Sequence, residues 1–72
     1  MEIILTKHAR QRMFERDIKM AEIQETLEMP DYTVTRNNKV EAYKTFPKKS
    51  IKIAFSKEGN FIKVITVVDK WK

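Results

Sequence analysis

The chain has no cysteine, one histidine, one glycine and two prolines among its 72 residues. Each scarcity removes a class of protein. Without cysteine, no disulfide staples the core and no thiolate holds a metal. His8, the single histidine, leaves a structural zinc site without a ligand set, so no metal or other cofactor is expected. No apolar run approaches the ~20 residues that span a bilayer, and Met1-Glu2-Ile3 does not open a signal peptide. The expectation is a cytoplasmic protein with no membrane partner. Its length makes one domain, residues 1–72, and a chain this short buries only about 60% of its unfolded surface.

What is abundant is positive charge. Fifteen Lys and Arg stand against ten Asp and Glu, a net charge of +5. Such an excess suits a polyanion or an acidic protein, or simply a well-solvated surface. Six of the acids precede Met29, whereas Lys39 to Lys72 holds nine lysines against Glu41, Glu58 and Asp69. This distribution predicts a basic sheet beside a helical half of mixed charge.

The periodicity changes once along the chain. Glu2–Leu5 is a short apolar lead-in, at most an edge strand. Thr6 reads as an N-cap whose hydroxyl accepts an orphan N–H, and helix one runs to about Arg16 with Ala9 and Met13 as its apolar stripe. Asp17 and Ile18 break it. Helix two, about Met20–Met29, sets Met20, Ile23 and Leu27 on one face and stops at Pro30. From Asp31 the pattern alternates, with turns at Asn37-Asn38, at Pro47-Lys48-Lys49-Ser50 and at Glu58-Gly59. The last strand, Asn60–Asp69, is apolar on both faces, which predicts an interior position; strict alternation puts Val64, Thr66 and Val68 on one of them. The expected architecture is α+β, two N-terminal helices packed on one face of a four-stranded antiparallel sheet.

Helix one also carries the densest chemistry. His8, Arg12 and Arg16 lie four residues apart and span an arc of about 80° on the helix. One stripe thus joins the one side-chain type that titrates near neutrality to two permanent cations, an arrangement suited to a polyanion and to phosphodiester chemistry. The segment His8-Ala9-x-x-Arg12-Met13-x-x-Arg16, with Ile18 beyond it, resembles the opening signature of a small family of bacterial and archaeal domains of unknown function. That family is usually placed near the RelE/ParE toxins and the wider group of metal-independent RNases that includes barnase. The resemblance continues through the amphipathic Met20–Pro30 and into Ile62–Val68, where Ile65-Thr66-Val67 matches an Ile/Val-Thr-Val ending. Only the His8–Arg16 part is specific. The family usually has glycine at the position of Asp17 and serine at that of Lys19, so the junction between the helices departs from its pattern here.

The resemblance implies a RelE/ParE-like fold and a toxin-like domain of a toxin–antitoxin system. Its expected action is metal-independent endoribonuclease activity on RNA, free or ribosome-bound, with an acidic antitoxin protein as partner. Cleavage of that kind needs a base for the 2′-hydroxyl and cations for the charge on phosphorus. His8 reads as the base, or else as a capping or packing histidine. Arg12 and Arg16 read as phosphate clamps, or as structural groups closing the helix onto the sheet. Thr66 is a satisfied core hydroxyl or a partner for one of them. Tyr43 reads as a platform for a base, as a proton donor or as an ordinary exposed strand tyrosine, and Lys44, Lys52 and Lys63 as a basic track for nucleic acid or as solvated sheet lysines. Phe14 points away from the apolar stripe, toward helix two or toward another chain. The rival function is a non-catalytic basic module that binds nucleic acid or a protein.

Overall fold

A computed structural model describes residues 2–70. The chain runs β1 (Glu2–Leu5), α1 (Lys7–Glu15), α2 (Met20–Glu28), β2 (Tyr32–Arg36), β3 (Lys39–Phe46), β4 (Lys49–Glu58) and β5 (Phe61–Asp69). The strands form one sheet in the order β1-β5-β4-β3-β2. Trp71 and Lys72, part of the tail after the last strand, lie outside the described residues.

The helix starts where Thr6 dictates. Its backbone is extended, and its hydroxyl accepts the N–H of Ala9 at 3.0 Å while donating to the carbonyl of Ile65 at 3.0 Å. One side chain therefore caps α1 and fixes it to β5. At the other end Asp17 takes the left-handed conformation, φ 53°. The N–H of Ile18 bonds the carbonyl of Met13, and the N–H of Asp17 bonds that of Phe14. This is a complete Schellman closure, with Ile18 buried as its hydrophobic contact. Aspartate thus makes the turn for which the resembling family uses glycine. A Cβ in that conformation carries strain that glycine lacks. Asp17→Gly is expected to stabilise the fold by about 0.5–1 kcal/mol, since the looser unfolded chain offsets part of the gain. A thermal melt should shift up by about 2–8 °C; an unchanged melt would show that Asp17 sits there without strain.

Lys19 opens α2 but, as an ammonium, accepts nothing. Glu22 compensates: its carboxylate accepts the N–H of Lys19 at 2.8 Å and the ammonium of Lys49 at 2.8 Å. Burial acts to raise its pKa, but those two bonds outweigh it and leave the group below the ordinary carboxylate value. Lys49 also donates to the carbonyl of Asp17, so the helical junction is clamped to the start of β4.

Four antiparallel strands were expected, and the sheet instead has five and is mixed. β1 pairs in parallel with β5, from Glu2↔Phe61 to Leu5↔Val64, while β2 to β5 form antiparallel hairpins. The lead-in is therefore a full edge strand. Its partner lies at the far end of the chain, where local patterning gives no sign of it. The hairpin loops are two residues each, at Asn37-Asn38, Pro47-Lys48 and Gly59-Asn60. The first and last turn through positive φ at Asn37 and Gly59, as tight hairpins require.

A bulge corrects the reading of β5. Ala54 pairs with Thr66 but Phe55 pairs with Val64, so Ile65 is the extra residue. The one-residue slip separates side chains that strict alternation puts together. Val64 and Val67 face the helices and are fully buried; Thr66 goes with Ala54 to the opposite face. Both helices do cover one face, as expected, α1 against β5 and α2 against β4 and β3. Between them lies a core of Ala9, Ile18, Ile23, Ala42, Ile51, Ile53, Phe55, Val64 and Val67.

Candidate nucleic-acid interface

With both helices on one side, the alternate residues of the strands form an uncovered face among the described residues. Register sets them in rows across the sheet. Tyr32, Tyr43, Lys52 and Val68 form one row; Val34, Glu41, Ala54 and Thr66 form the next. Beyond these, Ser56 faces Lys63 and Arg36 faces Lys39.

The first row is built around two rings. Tyr32 and Tyr43 stack with centroids 4.5 Å apart and planes within 10°, and the ammonium of Lys70 lies 5.4 Å from the Tyr43 centroid. Tyr32, on the edge strand, is 57% exposed. Glu41 organises the centre. Its carboxylate accepts the Tyr43 hydroxyl at 3.2 Å and pairs with Lys52 at 3.2 Å and Arg36 at 3.4 Å. The Lys52 bond is the main reason its pKa falls below the ordinary value; burial opposes the shift without cancelling it. Burial, then the bond to Glu41, raises the Tyr43 hydroxyl, so it remains a protonated donor. A carboxylate held this way is a weak base. Glu41 therefore anchors the ring and the two cations rather than moving protons.

The structure divides the expected nucleic-acid residues. Tyr43, Lys52 and Lys63 share the open face, and Lys63 lines a shallow depression of about 410 Å³ with Thr6, Lys39 and Ser56. Lys44 does not join them. It lies in phase with Ala42 and Phe46 on the helix side, where its ammonium donates to the carbonyl of Met29 at 2.9 Å and sits beside Glu25 and Asp31. At 17% exposure it ties the α2–β2 junction to β3 and offers no surface charge.

The expected catalytic residues also divide. On α1, the Nε of Arg12 donates to Nε2 of the exposed His8 at 3.5 Å, and Nη1 of Arg12 meets the Glu15 carboxylate at 3.2 Å. Gln11 donates to the same carboxylate. Arg16 is half-buried, with a buried Nε that has no acceptor among the described residues. Thr66 is on the opposite face, half-buried, and bonds none of these groups among the described residues. Phe14 is 88% exposed. It stands beside Lys7, Arg10, Gln11 and Glu15 around a depression of about 550 Å³, so it turns to solvent and does not cover α2.

Sequence reasoning overlooked Glu15, Arg36, Tyr32 and Lys70. Glu15 was legible, three residues after Arg12 on a helix. Arg36 was legible across the Asn37-Asn38 turn, in phase with Tyr32. The Tyr32–Tyr43 pair follows from the same two-residue loop once the register is counted.

No curated protein and no solved structure matches the chain. Residues 5–69 match the family described as Domain of unknown function (DUF4258), and the chain belongs to that family.

Proposed function

We propose that this domain binds single-stranded RNA across the open face of its sheet, in the manner of a toxin-like domain of RelE/ParE type. The observation that carries the reading is the Tyr32–Tyr43 stack flanked by Lys52 and Lys70 on an uncovered sheet. Aromatic planes accept any base, and the cations follow the phosphates. Stacking of a base on the exposed Tyr32 ring is worth roughly 1–3 kcal/mol. Tyr32→Ala should therefore weaken binding of a short RNA strand by about 5–150-fold. Affinity should also fall steeply between 50 and 200 mM salt, since bound phosphates release counterions. Fluorescence anisotropy with a labelled oligonucleotide measures both. Affinity that ignores salt, or is equal for Tyr32→Ala and the parent, removes the reading.

A second reading, metal-independent cleavage of the strand, is favoured by the His8–Arg12–Glu15 cluster on α1, which puts a base, a fork of donors and a carboxylate side by side. The exposed Phe14, ringed by Lys7 and Arg10, suits an acidic antitoxin segment carrying an apolar side chain.

A further inference from the structure

We infer that β2 is the contact through which two copies of this chain pair edge to edge, in antiparallel register about a two-fold axis at Val34. β2 has β3 on one side and no strand on the other among the described residues. Half of its backbone donors and acceptors therefore face outward. Edges are commonly protected by a proline, a bulge or a charged side chain. The segment Tyr32-Thr33-Val34-Thr35-Arg36 has no proline and no bulge, its one charge, Arg36, stands at the end of the strand, and its β-branched centre favours extended backbone.

Its order of residues is chemically symmetric about the centre. In the antiparallel register Val34 meets Val34 of the second copy, Thr33 meets its Thr35, and Tyr32 meets its Arg36. Apolar contact, paired hydroxyls and a cation over an aromatic ring are all favourable cross-strand pairs. Thr33, Thr35, Tyr32 and Arg36 are all exposed. A parallel pairing would set Arg36 against Arg36 instead.

The chain carries +5 overall, so copies repel. Around β2, Arg36 is matched by Glu41, and Lys44 by Asp31 and Glu25, which lowers that repulsion beside the open strand. A five-residue contact buries less than the ~800 Å² per partner of a stable complex, so the dimer is weak, with a dissociation constant between about 10 µM and 1 mM. The axis stands perpendicular to the sheet, which brings both open faces to the same side as one ten-stranded surface. This pairing goes beyond RNA binding and does not depend on it; because Arg36 of the second copy lies over the outer face of the Tyr32 ring, the second copy and a stacked base compete for that ring.

The absence of cysteine makes the test clean. Directly opposed residues in an antiparallel pair have Cα atoms ~4.5–5.5 Å apart, within disulfide range. Under mild oxidation at tens of micromolar, Val34→Cys should cross-link into a dimer at least ~10-fold faster than Thr45→Cys, an exposed control on β3. Sedimentation velocity of the unsubstituted chain should show a reversible monomer–dimer equilibrium that stops at two. Val34→Lys, which opposes two ammonium groups at the axis, should weaken it by at least ~10-fold with the circular dichroism unchanged. If Val34→Lys does not fold, the cross-linking rates decide. A monomer at 1 mM, equal cross-linking of the two cysteine variants, or growth beyond the dimer overturns the proposal; growth would mean β1 of one copy pairing with β2 of the next.

Discussion

Replacing Ile53 by alanine should lower the free energy of unfolding by about 3–4 kcal/mol. Ile53 is fully buried at the centre of β4, between Ala42 on β3 and Val67 on β5, beneath the helices. Removing its distal carbons loses transfer free energy and leaves a cavity that flanking strands close poorly, since their spacing is held by hydrogen bonds. Ala42 on one side is too small to fill it. A 72-residue domain is stable by roughly 4–11 kcal/mol, so this one change removes a large part of the total. Urea unfolding should show a lower midpoint with an unchanged slope, and Ile53→Val should cost only about 1 kcal/mol. A loss below 1 kcal/mol for Ile53→Ala would mean that β4 is not the centre of the core.

Ile53 also illustrates what was legible. Ile51, Ile53 and Phe55 alternate with polar or small residues, and the period alone assigns them to a buried face. Helix starts, hairpin loops and the interior position of β5 followed from equally local signals: an N-cap threonine, a glycine, a doubly apolar strand. The pairing of β1 with β5 depends on residues 59 apart, such as Thr6 and Ile65, and no short window contains both. The bulge at Ile65 was hidden for another reason. It breaks the period through the backbone without a change in composition, so Thr66 read as a neighbour of Val64 and lies on the other face. At the candidate interface, Tyr43 and Lys52 could be placed because they occupy the phase opposite the core residues. Lys44 carried the same information, since it is in phase with Ala42. Counting basic residues without counting parity assigned it to the wrong face.

If the strand is cut as well as bound, His8→Ala should lower the rate at least ~100-fold, the usual share of a positioned acid–base group. The cluster on α1 defines each role. Arg12 donates to Nε2 of His8; once Arg12 swings toward the substrate phosphate that lone pair is released, and Nε2 is the atom that would take the 2′-hydroxyl proton. The 2′-oxygen then attacks phosphorus, a 2′,3′-cyclic phosphate forms, and the 5′-oxygen leaves with a proton from solvent. Arg12, at 40% side-chain exposure, is free to turn its outer nitrogens from Glu15 to the developing phosphorane charge. Arg12→Ala should therefore slow the reaction too, and Arg12→Lys should recover only part of it, since a point charge lacks the fork. The reaction should persist in chelator. None of these changes touches the open sheet face, so the affinity of His8→Ala for RNA should equal that of the parent. A His8→Ala protein that cuts at the parental rate, or a parent that cuts no RNA free or ribosome-bound, eliminates cleavage. Binding on the sheet would then stand alone, since Tyr32 and His8 lie on different elements and report on different steps.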